Sequence, residues 1–275
     1  EAAGAEDTDE KEVAELLKVD RASLEIGYQL IPLVKDASGA GILDHIAQLR
    51  RRFALKEGVV LPPVRIRDNI KLGPKAYRVQ LGGQEIADGE IEPALYLAMD
   101  PGTAAGKIPG KPAVDPAFGL PAVWVDKGKR SEAEVMGYTV IDPTSVLVTH
   151  LSEVLRGALA ELLSRDDVKE LVENAKSIAP AVVEELVPER LNYGEIQQVL
   201  RNLLQEGVSV RNMPAILETL ADNAPRTRDV ETLTELCRQR LGRALCEQFG
   251  DGTGTVHAIT LDPAIEARLA AAVGR

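Results

Sequence analysis

Short stretches that alternate apolar and polar residues, longer stretches of helical period, and an abrupt Pro- and Gly-rich interlude between them predict an α+β chain of several subdomains. The expected parts are a small α/β sheet domain with an inserted β-rich module, a helical bundle module, and a partial C-terminal strand-helix module. In residue numbers these are an acidic linker (1–20), the first α/β subdomain (21–92 and 143–162), the inserted module (93–142), the helical module (163–242) and a partial fourth subdomain (243–275). At 275 residues the chain is longer than one core usually serves.

Acids outnumber bases by 43 to 32 and aromatics make up only 3 % of the chain. Both facts argue against nucleic acid as a partner, which needs a basic surface and stacking platforms. No apolar run approaches the roughly 18 residues of a membrane span. The first residue is Glu, and no signal peptide opens the sequence, so the chain reads as a fragment of something longer.

Residues 1–20 carry eight acids and two bases, with a weak helical pattern at Val13, Leu16 and Leu17, and read as a linker. The alternation Leu24, Ile26, Tyr28, Leu30 predicts a strand continuing through Ile31 to Val34. After Gly39 and Gly41, a helix from Ile42 to Lys56 places Ile42, Ile46, Leu49 and Phe53 on one face and ends at Gly58. Pro62 and Pro63 precede a strand over Val64 to Ile70. Strands Ala76–Leu81 and Gln84–Glu90 flank Gly82-Gly83, a two-residue hairpin signal. From Arg50 to Arg78 there are nine basic and two acidic residues, either a solvated face or a docking patch for an acidic segment.

Between Pro93 and Gly137, short apolar runs at Ala94–Met99, Leu120–Val125 and Tyr138–Ile141 predict a mostly β module. Asp142-Pro143 then caps a helix from Thr144 to about Leu163. Capping signals at Ser164 with Asp167, Asn192 with Glu195, Asn212 and Asp229 open four more helices, the last reaching Gln248. Cys237 and Cys246 share that last helix in this reading, roughly 13 Å apart along its axis and unable to bond. A strand from Thr255 to Leu261 and a helix capped by Asp262-Pro263 close the chain.

Little points to catalysis. Gly102 to Lys107 is one residue too short for a phosphate loop and is followed by Ile108 where a magnesium-holding hydroxyl is needed. His45, His150 and His257 have no ligand-spaced neighbours, so neither metal nor cofactor is expected. His150 reads as a packed or capping residue. The stretch Asp115 to Val125, with its Pro and Gly and the sole Trp, is a stiff turn that presents Phe118. Asp115 reads as the organiser of that turn. Phe118 has two readings, core filler or the lining of an exposed apolar depression that receives another protein.

Five phrases carry a resemblance that runs from about Val13 to Val273. They are Leu24-Glu-Ile-Gly-Tyr-Gln-Leu-Ile-Pro-Leu33, Val64-Arg-Ile-Arg-Asp-Asn-Ile70, Asp115-Pro-Ala-Phe-Gly-Leu-Pro-Ala-Val-Trp124, Asp142-Pro-Thr-Ser-Val-Leu-Val-Thr-His150, and Glu206-Gly-Val-Ser-Val-Arg-Asn-Met213 with Ile216-Leu-Glu-Thr-Leu-Ala-Asp222. The sequence resembles the cytoplasmic region of the FlhA family, export-gate proteins of the flagellar type III secretion apparatus. The resemblance implies a channel in the bacterial inner membrane upstream, four cytoplasmic subdomains at the base of the flagellum, and a ring of nine such regions. It implies partners: export chaperones carrying late substrates, components of the export ATPase complex, and other export-gate subunits. It implies no catalytic activity.

The family's chaperone-binding residues match Asp115, Phe118 and Thr149, with Val146 one turn before Thr149 taken as part of the same wall. Gly27 matches a glycine that permits subdomain motion. Arg50, Arg51 and Arg52 are the expected landing place for a neighbouring subunit's acidic linker. Family members usually continue beyond the position of Val273 with another strand and helix. The runner-up reading is the equivalent domain of a virulence-type (injectisome) secretion system.

Overall fold

A computed structural model describes residues 19–34 and 41–273. The acidic linker before Val19, including Val13, Leu16 and Leu17, lies outside the described residues, as does Gly39.

The first sheet has the order β2-β1-β3-β4, built from β1 (Ala22–Ile26), β2 (Val64–Asp68), β3 (Ala76–Leu81) and β4 (Gln84–Glu90). β1 runs parallel to β2 and antiparallel to β3, while β3 and β4 form the expected hairpin over Gly82 (φ 54°) and Gly83 (φ 79°). Period-two alternation sends Tyr77, Val79 and Leu81 inward with Leu24 and Ile26.

The predicted continuation of the first strand to Val34 is corrected. β1 stops at Ile26, a 3-10 turn follows over Tyr28–Leu30, and a helical turn α1 covers Ile31–Val34. The cause lies fifty residues away: Gly27 N donates to Ala76 O at 2.8 Å and Gln29 N to Pro74 O at 2.9 Å, which draws the chain out of the sheet. A Cβ on Gly27 would lie 2.1 Å from Gly73 O.

Helix α2 (Ile42–Lys56) forms as predicted, with Ile42, Ile46, Leu49 and Phe53 buried. Its end is made by a distant segment. Ser209 Oγ donates to Lys56 O at 2.7 Å and Val210 N donates to Glu57 O at 2.9 Å. Gly58 (φ 78°) lies so close that a Cβ there would meet Arg211 N at 2.3 Å.

The second sheet, order β6-β7-β5-β8, comprises β5 (Tyr96–Met99), β6 (Lys111–Val114), β7 (Pro121–Val125) and β8 (Thr139–Ile141). Strand β6 and helix α3 (Arg130–Val135) stand where the sequence suggested loop. The helix is held by an Arg130–Glu134 ion pair at 2.9 Å and by Ala133, which is fully buried; Gly137 (φ 89°) ends it. One face of this sheet contributes Leu97, Ala122 and Trp124 to the main core; the other closes a small core of Ala98, Ile108, Val125, Ala133 and Tyr138.

Asp142 caps α4 (Pro143–Gly157) by accepting from Ser145 N at 3.0 Å. The helix breaks after Gly157 and resumes as the short α5 (Leu159–Leu162). The helical part is α6 (Arg165–Lys176), α7 (Pro180–Leu186), α8 (Tyr193–Gln205), α9 (Met213–Asn223) and α10 (Val230–Arg240). The Pro180 helix was not anticipated. Both predicted capping boxes are present: Ser164 with Asp167, and Asn192, which accepts from Gly194 N at 2.8 Å and Glu195 N at 3.1 Å. Asn192→Ala leaves both donors without a partner and is expected to cost about 1 kcal/mol, read from the midpoint of urea denaturation. Arg21, at the entrance to β1, ties the first sheet to α6 through an ion pair with Asp167 and a hydrogen bond to Leu162 O.

The last predicted helix of the bundle is two. α10 ends at Arg240 and α11 covers Gly242–Phe249, so Cys237 and Cys246 do not share a helix. Cys237 is buried and its thiol is pushed up to about 12 by burial; Cys246 is exposed. The strand expected over Thr255–Leu261 does not form. A single bridge joins Gly250 to Val256, because no neighbouring strand offers itself for pairing among the described residues. Helix α12 (Pro263–Val273) follows.

Candidate docking site

The turn between β6 and β7 is organised by Asp115, as its place before Pro116 suggested. Its carboxylate Oδ2 accepts from Phe118 N at 2.7 Å, its carbonyl accepts from Gly119 N at 2.9 Å, and its own N–H donates to Leu120 O at 2.9 Å. Gly119 takes φ 68°, a left-handed conformation that strains other residues. Asp115 is only 3 % exposed, whereas Phe118 is 56 % exposed. The core reading of Phe118 is therefore excluded here: the turn holds an aromatic ring in water. Val114 and Leu120 flank it and are exposed too. Trp124 is buried in the main core behind the turn.

Thr149 is half-buried on α4. Val146, expected in the same wall, is 1 % exposed and belongs to the core. It offers no surface to a partner. Gly27 and the three arginines belong to other parts of the molecule. Gly27 packs on Gly73 and Pro74. Arg50 donates Nε to Leu61 O at 2.9 Å, beside a cleft of about 190 Å³ that Asp167 and Glu170 also line; Arg51 and Arg52 are exposed.

Three buried polar residues lie near the hairpin; only His150 was singled out from sequence, as a packed or capping residue, and it is buried. Tyr77 on β3 is fully buried, and its hydroxyl lies 2.5 Å from His150 Nδ1. The two rings meet edge to face, 5.7 Å between centroids. Burial pushes the Tyr77 phenol up, with the charges of Asp115 and Asp88 adding to the effect. Burial pushes the His150 imidazole down, against the pull of the same two carboxylates. The third is Glu92, only 8 % exposed, which bridges Lys75 at 2.5 Å before β3 and Lys111 at 2.6 Å on β6. Hydrogen bonds from Lys111 and Lys75 hold its carboxyl below the usual range. The inward position of Tyr77 in the β3 alternation was a readable signal for a buried hydroxyl that needs a partner.

The Gly102–Lys107 loop cannot cradle a phosphate as it stands. Asp100 Oδ1 accepts from Gly102 N at 2.8 Å and from Ala104 N at 3.4 Å, so a carboxylate occupies the N–H groups an anion would use. Among the described residues, no group of three or more His, Cys, Asp or Glu could hold a metal ion, and no helix is long and apolar enough to cross a membrane.

The FHIPEP family model matches residues 1–275. The chain belongs to the FHIPEP family. The flagellar biosynthesis protein FlhA of Bacillus subtilis is 42 % identical over 258 residues, which cover 94 % of this chain and 38 % of that protein. FlhA of Escherichia coli is 40 % identical over 247 residues, covering 90 % of this chain and 36 % of the relative. This FHIPEP chain therefore spans little more than a third of the curated relatives it matches. Among solved structures, the CdsV protein of Chlamydia pneumoniae superposes with a TM-score of 0.80 at 24 % identity, over 91 % of this chain and 73 % of that one. The nonameric EPEC SctV-C gives 0.65 at 17 % identity, over 94 % and 83 %. The FHIPEP fold is thus shared with solved proteins of much lower sequence identity.

Proposed function

We propose that this chain is the cytoplasmic docking platform of a flagellar type III export gate, with no catalytic step and no cofactor of its own. The observation that carries the reading is Phe118, an aromatic ring 56 % exposed on a turn whose own carboxylate is buried and committed to holding it there. A group that loses by exposure, on a backbone built to expose it, is what a receptor for an apolar side chain requires. Thr149 on α4 forms the second wall and Asp115 the base. The occupant is a flagellar chaperone with its bound export substrate. Titration of such a complex onto the chain by calorimetry tests this directly, with Phe118→Ala as the comparison; equal affinity for both would remove the reading.

The flagellar assignment is favoured over the injectisome one by the 42 % identity to FlhA of Bacillus subtilis, against 24 % to CdsV. We read the chain as four subdomains divided at residues 92/93, 142/143, 162/163 and 242/243, with Gly27 the hinge of the first. The whole protein sits at the base of the flagellum in the inner membrane, reached through a segment outside this sequence, and works with the export ATPase complex and the other gate subunits.

Ring assembly follows from the same reading, and the relative solved as a nonamer supports it. The linker's eight acids would meet the exposed Arg51 and Arg52, with Arg50 beside them, on the next subunit. Self-association measured by sedimentation velocity is expected to fall with salt and with the double change Arg51→Glu and Arg52→Glu. Association indifferent to both would place the contact elsewhere.

A further inference from the structure

Both walls of the docking site are tied to the start of β3. Thr149 belongs to α4, and His150 beside it meets the Tyr77 hydroxyl at 2.5 Å. Phe118 belongs to the β6–β7 hairpin, and Lys111 at the start of β6 meets Glu92 at 2.6 Å. Glu92 also holds Lys75 at 2.5 Å, and Lys75 stands two residues before Tyr77. One short segment therefore carries a polar tie to each wall. That segment is itself firmly placed: Lys75 O accepts from Ile91 N at 2.9 Å, and the carbonyls of its neighbours Pro74 and Ala76 accept from Gln29 and Gly27.

The two ties differ in what backs them. α4 lies in the main core along a buried face that includes Val146, Leu147 and Leu151. The sheet of the inserted module reaches that core only with one face, through apolar side chains such as Leu97, Ala122 and Trp124. Apolar contact is non-directional, so it holds the module against the core without fixing its angle. Among the described residues, Lys111–Glu92 is the one hydrogen bond or ion pair that joins a strand of the inserted module to the first subdomain.

We propose that Glu92 is a positioning residue for docking: by holding Lys75 and Lys111 together it fixes the angle of the inserted module to the first sheet, and with it the place of Phe118 relative to Thr149. The inference rests on the docking reading for its consequence. The carboxylate offers one oxygen to each lysine, Oε2 to Lys75 and Oε1 to Lys111. It is 8 % exposed, so the acceptor is largely shielded from water while both ammonium groups stay partly in it. Without its charge the two lysines have nothing to share. The module then stays on the core by its apolar face, and its angle spreads.

The test measures the distance between spin labels at Gln84→Cys on β4 and Ser131→Cys on α3, both exposed positions, with Cys246→Ser removing the exposed thiol. The distribution is expected to be narrow in this background and broadened by Glu92→Gln and by Lys111→Met. Lys111→Arg keeps the charge and should leave it narrow, which separates the ion pair from the packing of the side-chain stem. Chaperone-cargo affinity should fall about fivefold in Glu92→Gln and in Lys111→Met, the size of one hydrogen bond with a partly exposed donor. The double variant should bind no more weakly than Glu92→Gln alone, because both changes break one tie. An unchanged distribution in Glu92→Gln and Lys111→Met, equal broadening in Lys111→Arg, or affinity losses that add in the double variant would overturn the proposal. So would unchanged affinity in both single variants where Phe118→Ala does lose it. If Phe118→Ala leaves chaperone affinity intact while Glu92→Gln still broadens the distribution, the docking reading fails and the tie stands.

Discussion

Phe118→Ala is expected to weaken binding of a flagellar chaperone-cargo complex about 30-fold or more, the loss of about 2 kcal/mol or above that marks a central anchor. Stability should hardly change, since the ring is 56 % exposed and the turn is fastened by the backbone and by Asp115. Calorimetric titration gives the first quantity and urea denaturation the second. The contrast separates anchor from scaffold: Asp115→Ala should lose affinity too, but through disorder of the turn, and it should shift the denaturation midpoint as well. Equal losses of affinity and stability in Phe118→Ala would mean the ring is structural after all.

Gly27→Ala is expected to destabilise the chain by about 3 kcal/mol through overpacking. The backbone at Gly27 is ordinary, φ −70° and ψ 157°, so conformational strain plays no part. The obstacle is Gly73 O at 2.1 Å and Pro74 O at 2.7 Å from the new methyl group, both backbone atoms. Gly82→Ala makes the complementary comparison: open space around the new methyl group, φ 54°, and a cost of about 1 kcal/mol from the left-handed conformation alone. A Gly27→Ala protein with an unchanged urea midpoint would show that the Gly73-Pro74 loop yields freely to a side chain. The expected loss would mean that this position accepts no side chain, so that any motion of the first strand there needs glycine.

What the sequence disclosed well were features decided within a few residues. The Gly82-Gly83 hairpin, helix Ile42–Lys56 and the caps at Ser164, Asn192 and Asp229 follow from local rules of turn and cap chemistry, and each stands in the structure. The Asp115 turn was legible for the same reason, since its hydrogen bonds close within five residues. Features decided at a distance were not legible. The end of β1 depends on Pro74 and Ala76, and the partner of His150 lies 73 residues earlier on another element. Val146 was expected in the same wall because it lies one turn before Thr149; only the packing of α4 reveals that Val146 is buried and Thr149 half-buried. The strand expected at Thr255 had good composition but, among the described residues, no neighbouring strand to pair with, which composition cannot reveal.

The seam at Gly58 bears on how such a chain comes into being. Helix α2 covers the first sheet, yet its last carbonyls are satisfied by Ser209 and Val210, and the fit at Gly58 requires Arg211. During synthesis about 150 further residues, from Gly58 to Arg211, must therefore be made before this layer can complete its own hydrogen bonds. At a typical rate of about 5–20 residues per second, that interval lasts about 8–30 seconds. Throughout it, Ile42, Ile46, Leu49 and Phe53 lack their finished setting.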